Sequence, residues 1–233
     1  MGELRNLSAC IEEVREAALK YEPGPPDPTD YQELRQRLAA CRSKLPPLYR
    51  QAVFDPFDRA LVELGPGGYR EVLRQDPERT GTAGLMLDIA QAILQNGEGY
   101  KELATDAFQE VVSDLYDGFL SAEDRRGVKL PDKGAIAPLV KWGNPDFGPY
   151  TWPVDATSTF GVQAAIVNLP PANAEKGILA WAALGHETAG HDILHADSGL
   201  AAELARAVRR DLREQKLPGY LADYWAERIE TNA

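Results

Sequence analysis

All three histidines of this 233-residue chain lie within ten residues of one another, at His186, His191 and His195. Three carboxylates are interleaved with them, namely Glu187, Asp192 and Asp197. Histidine is the commonest protein ligand for transition metals and changes charge near neutral pH. The backbone of this segment must bring such side chains to one point if they are to hold an ion. We therefore predict a metal site here, with a structural segment that binds no metal as the alternative.

The composition of the whole chain narrows the range of partners. The formal net charge is −11, whereas phosphate binding needs clustered Lys and Arg, so we expect no nucleic-acid partner. No run approaches the ~20 apolar residues of a membrane helix, and no membrane association is expected. The two cysteines, Cys10 and Cys41, are too few for a secreted disulfide framework and favour two free thiols in a cytoplasmic protein, with a single bridge between the first two helices as the alternative.

Hydrophobic periodicity predicts a mostly helical α+β protein. Apolar residues recur at helical spacing over 3–21, 82–95 and 99–120. We assign residues 1–120 to an N-terminal helical region on this basis. Thr29 or Asp30 is a suitable cap for another helix within it.

The second predicted region covers residues 121–233 and carries the histidines. Its one strong strand signal is 157–169, rich in β-branched residues and closed by two prolines. A helix over 174–196 follows, then helices over 199–214 and 221–231, with Asp197 as a cap. The last helix has no glycine or proline to end it, so we expect a core that continues beyond this chain.

The spacing of the first two histidines is unusual for a metal-binding helix. In the common His-Glu-x-x-His motif the histidines are four apart and share one helical face. His186 and His191 are five apart, which in a regular α-helix turns them roughly 140° from each other. A one-residue bulge of the π type would restore a common face, and Gly190 would ease it by tolerating unusual backbone angles.

The segment His-Glu-x-x-Gly-His resembles the lengthened zinc motif of the dipeptidyl peptidase III family, a branch of the zincin metallopeptidases. The resemblance implies that His186 and His191 bind Zn²⁺ and that Glu187 is the general base. It also implies a third ligand, a Glu on a later helix, for which we favour Glu230 over Glu227. In zincins the edge strand before the motif helix binds an extended peptide, which implies that role for the strand predicted over 157–169.

Two rival interpretations use the same segment. In the first, Glu187, His191 and His195 lie four apart on one stripe of a regular helix, with Asp192 in the position of the usual Glu. In the second, the carboxylate–histidine spacing is that of a non-haem di-iron helical oxidase, with iron as the metal. Further carboxylates would then come from another helix: Glu102, Glu110 and Asp114 are the candidates.

We predict a zinc-dependent hydrolase, most simply a metallopeptidase, acting on a peptide or another small substrate. His195 and Asp192 are expected to orient a ligand or replace one. Tyr150, in the aromatic stretch before the strand, is the candidate substrate-binding residue and oxyanion donor. A non-catalytic helical binding module with a structural histidine cluster is the alternative from another class.

Overall fold

The computed structural model describes residues 2–120, 136–194 and 199–231. Helices make up most of this part of the chain and surround a small sheet, which confirms the mostly helical α+β class. The longer helices are α1 (Gly2–Leu19), α2 (Tyr31–Cys41), α4 (Asp55–Gln75), α5 (Thr82–Glu98), α6 (Glu102–Leu120), α9 (Leu200–Glu214) and α10 (Gly219–Thr231). Short α-helical turns are α3 (Pro47–Tyr49), α7 (Val154–Thr157) and α8 (Ala183–Gly185). Two π-helical segments, Arg50–Phe54 and His186–Ile193, follow α3 and α8.

Helix α2 illustrates how local sequence specifies these elements. The Asp30 carboxylate accepts a hydrogen bond from the Glu33 backbone N–H at 2.8 Å, which caps the first turn. Leu34, Leu38 and Cys41 then recur at helical spacing and are all buried. The helix therefore begins at a capping side chain and is held by one apolar face.

The sheet has three strands, β1 (Leu139–Trp142), β2 (Tyr150–Trp152) and β3 (Ile166–Leu169). Strand β3 is central, parallel to β1 and antiparallel to β2. The predicted strand 157–169 is therefore wrong in its first half and in its position at an edge. Helical turns occupy Val154–Phe160, and Gly161 has a φ of 72°, so the extended backbone begins later.

The helix predicted over 174–196 is also wrong in its first half. Residues Pro171–Ala174 and Ile178–Ala182 form separate 3-10 turns, and Gly177 between them has a φ of 75°. This left-handed glycine interrupts helical hydrogen bonding. The histidines consequently lie on a short segment that starts near Ala183.

Helices and sheet share one buried core. Leu38, Phe57 and Ile93 belong to the same apolar cluster as Leu139 and Ile166 of the sheet. The core thus includes residues from both sides of the predicted boundary at residue 120, and the division into two regions stays a prediction.

The structure also bears on two other expectations from the sequence, the state of the cysteines and the absence of a membrane helix. Cys10 and Cys41 are both free thiols, and Cys41 is buried. Among the residues described, no helix has the length and apolar character that crossing a membrane requires.

Candidate metal centre

The histidine segment has the π-helical backbone that its spacing predicts. From His186 to Ile193 the chain is π-helical rather than α-helical. The Nε2 atoms of His186 and His191 are consequently 3.1 Å apart, and their rings meet nearly edge to face. A regular α-helix would have turned the two rings apart. The rival interpretation placed Glu187, His191 and His195 on a regular α-helix, and that expected backbone is wrong.

Gly190 permits this convergence because it has no side chain, and not because its backbone angles are unusual. Its φ is not positive, which corrects the expectation that unusual angles explain it. A Cβ at this position would lie 3.2 Å from Nδ1 of His186, closer than side chains normally approach. The missing side chain therefore leaves room for the His186 ring.

Glu187 lies beside the two imidazoles and is buried. The ligand atoms of His186, Glu187 and His191 all lie within 4.8 Å of one another. The Glu187 side chain is 5% exposed, and the Thr151 hydroxyl donates a hydrogen bond to its Oε2 at 2.9 Å. Strand β2 thereby fixes the carboxylate against the histidine pair.

Asp192 connects the π-helical segment to the rest of the protein. Its Oδ1 accepts a hydrogen bond from the Val154 backbone N–H at 3.2 Å, and the Tyr116 hydroxyl of α6 donates a hydrogen bond to its carboxylate. Burial, and then the charge of Asp192, raise the pKa of Tyr116 far above its ordinary value. Asp192 is thus an anchor for the segment and lies outside the group formed by the histidines and Glu187.

The structure does not bring the predicted third ligand to this group. Glu230 and Glu227 are exposed on α10. Arg209 and Arg213 of α9 both pair with Asp223 at 3.0 Å, and α10 therefore folds back along α9. Within the described residues, the group contains neither glutamate, and a ligand role for Glu230 stays a prediction.

The carboxylates proposed for a di-iron site are not brought together either. Glu102, Glu110 and Asp114 are exposed on α6, outside the histidine group. His195 and Asp197 lie outside the described residues.

Tyr150 faces the other side of β2. Its hydroxyl donates to Asp88 Oδ2 at 2.8 Å, whereas the neighbouring Thr151 contacts Glu187. Successive side chains of a strand point to opposite faces, so Tyr150 and the histidine pair lie on different sides of the sheet. The expected oxyanion role beside the histidines does not fit this position.

Sequence reasoning missed the ion pair beneath Tyr150. Lys141 Nζ lies 2.7 Å from Asp88 Oδ1, and Lys141 is 4% exposed. Each charge interrupts an otherwise apolar run, Lys141 in strand β1 and Asp88 in helix α5. A lone charge in an apolar run must find a partner when it is buried, and this was the available signal.

Comparisons with protein-family models, with curated proteins and with solved structures found no match to this chain. The chemistry of the site is therefore the basis for a function.

Proposed function

We propose that the chain is a zinc-dependent hydrolase, with a peptide as the simplest substrate. The observation that supports this most is the convergence of two imidazole nitrogens beside a buried carboxylate. Two imidazoles bound to one tetrahedral Zn²⁺ at about 2.0–2.1 Å are about 3.3 Å apart. The 3.1 Å separation of the Nε2 atoms is close to this value, so the pair fits one ion with little movement.

The residues of the group suit different parts of the reaction. His186 and His191 would hold the ion, which supplies Lewis acidity and lowers the pKa of a bound water. Glu187 would accept the proton of that water and return it to the leaving amine. The hydrogen bond from Thr151 keeps the carboxylate of Glu187 directed at the histidine pair.

Strand β2 is the candidate surface for an extended peptide. It pairs with β3 along one edge and contributes Thr151 to the site. A peptide added to the other edge would form main-chain hydrogen bonds and pass close to Glu187. This assigns to β2 the substrate role that the sequence predicted for the strand over 157–169.

A second candidate follows from the donor set. Two histidines and one carboxylate also form the usual ligand set of mononuclear non-haem Fe(II) enzymes. Glu187 would then be a metal ligand and the activity an oxidation. We propose a cytoplasmic location in either case, which the two free cysteines support.

The test combines metal analysis with a peptidase assay on a pooled library of quenched fluorescent peptides. Protein purified without added metal should contain about one zinc per chain and cleave some of the peptides. Glu187→Gln should keep the zinc and lose at least about a hundredfold in rate, since general base catalysis contributes at least that much. His191→Ala should lose both zinc and activity.

Glu63→Gln, at an exposed position of α4, is the matched control and should behave as the wild type. Full activity in Glu187→Gln would contradict the base role. Bound iron that Glu187→Gln releases would support the second candidate. A wild-type protein that binds no metal would favour the non-catalytic module, in which the 3.1 Å contact is a hydrogen bond between neutral imidazoles.

A further inference from the structure

A cavity of about 750 Å³ lies on the face of β2 opposite the histidines. Ligand sites commonly have volumes of about 300–1,000 Å³. Among the described residues, none that lines the cavity belongs to the histidine segment. Its principal lining residues come from the loop after α1, from α5 and from the sheet region: Tyr21, Pro25, Gln91, Trp142, Phe147 and Trp152.

Of the five charged residues among the described lining of the cavity, four form two ion pairs, and the fifth, Glu78, is exposed at the surface. Asp88 accepts hydrogen bonds from Tyr150 at 2.8 Å and from Trp152 Nε1 at 2.7 Å, and it pairs with Lys141. Nearer the surface, Arg79 pairs with Asp27. The interior of the cavity, away from the exposed Glu78, therefore favours a neutral ligand, because a charged ligand would lose hydration there and both interior charges already have partners.

Gln91 leaves one buried acceptor without a partner among the described residues. Its Nε2 donates to the carbonyls of Pro25 at 3.1 Å and Pro26 at 2.8 Å, which fixes the orientation of the amide. Its Oε1 is buried with no hydrogen bond, and Gln91 as a whole is 2% exposed. An unmet buried acceptor is costly, so a ligand that donates an N–H or O–H here gains affinity.

Aromatic side chains form much of the remaining lining. Phe147 and Tyr21 both line the cavity, and these residues are 52% and 67% exposed overall. Phe147 also meets Tyr150 edge to face, with ring centroids 6.1 Å apart. Such walls suit a flat ring, which gains both apolar burial and ring–ring contact.

We propose that this cavity binds a neutral heteroaromatic ligand whose ring N–H donates to Gln91 Oε1. The proposal does not depend on the hydrolase function, because the two sites share no side chain.

Indole and benzothiophene provide a matched pair of probes, since they have similar shapes and benzothiophene lacks the N–H. Each would be titrated into ¹⁵N-labelled full-length protein while the side-chain N–H signal of Trp152 is followed. Indole should give saturable shifts and bind about tenfold more tightly than benzothiophene, as expected for one hydrogen bond to a buried acceptor.

Two variants locate the site. Gln91→Leu should abolish the preference for indole, whereas Gln75→Leu, at an exposed position of α4, should retain it. Phe147→Ala, at a half-exposed position, should weaken both probes severalfold. Absence of saturable shifts, equal affinity for the two probes, a preference that survives Gln91→Leu, or binding unaffected by Phe147→Ala would each overturn the proposal.

Discussion

The two faces of strand β2 contact different polar groups. On one face, Thr151 contacts Glu187 beside two histidine rings, and His186 is exposed. On the other face, Tyr150 and Trp152 both donate to Asp88. The three residues of this strand thus contribute to two sites. One is the candidate metal site, and the other is the hydrogen-bond network around Asp88.

The difference shows how the partner of a buried charged group decides its role, because Glu187, at 5% exposed, is about as buried as Lys141. Lys141 is 4% exposed, and its ammonium is matched by Asp88 at 2.7 Å. A buried charge without such a partner would be strongly destabilising. The histidine pair is nearer to solvent and retains ligand atoms that can reach an ion. We therefore expect substitutions of the Lys141–Asp88 pair to change stability and those in the histidine group to change metal binding.

Among the substitutions that test this difference between the two faces, Asp88→Asn should have the largest effect, a loss in the free energy of unfolding. It leaves Lys141 buried without a charged partner, and breaking a buried pair in this way costs about 3–5 kcal/mol. Urea denaturation of the wild type and the variant measures the loss in the free energy of unfolding. The zinc content of the folded fraction should not change.

A double variant distinguishes the ion pair from simple packing. Asp88→Asn combined with Lys141→Met removes both charges but keeps a side-chain oxygen that can accept from Tyr150 and Trp152, so it should recover much of the lost stability. A double variant as unstable as Asp88→Asn would show that the charges themselves are not the cause.

A smaller effect, confined to the histidine face, is expected from Gly190→Ala. The new Cβ would lie 3.2 Å from Nδ1 of His186, so the ring must shift by a few tenths of an ångström. Substitutions that reorient a metal ligand commonly cost about 10–100-fold in affinity, and we expect the lower end of this range for zinc.

Competition with a chelator measures this affinity, and Gly185→Ala is the matched control. A Cβ at Gly185, directly before the π-helical segment, meets no atom of the described residues within 4 Å. Equal losses in the two variants would mean that helix composition, rather than the His186 ring, sets the affinity.

Much of the histidine site is predictable from the sequence because its signal is local. The five-residue spacing of His186 and His191 is incompatible with a shared α-helical face, and the π-helical backbone follows from it. Helix class and several helix positions follow equally from periodicity, as in α2 and α5.

The errors concern long-range arrangement. Residues 157–169 have the composition of a strand, but Gly161 and the preceding turns delay it until Ile166. The pairing of β2 with β3 decides on which face of β2 Tyr150 lies. Composition does not specify this pairing. The position of Glu230 depends on how α10 packs along α9, which local pattern does not fix either.

Zinc K-edge X-ray absorption of the purified wild-type chain tests the central claim most directly, that the π-helical segment brings two imidazoles to one ion. We predict bound zinc with multiple scattering from two histidine rings, and loss of the bound zinc in His186→Ala, as in His191→Ala. A chain that retains no zinc, or a zinc spectrum without imidazole scattering, would contradict the account.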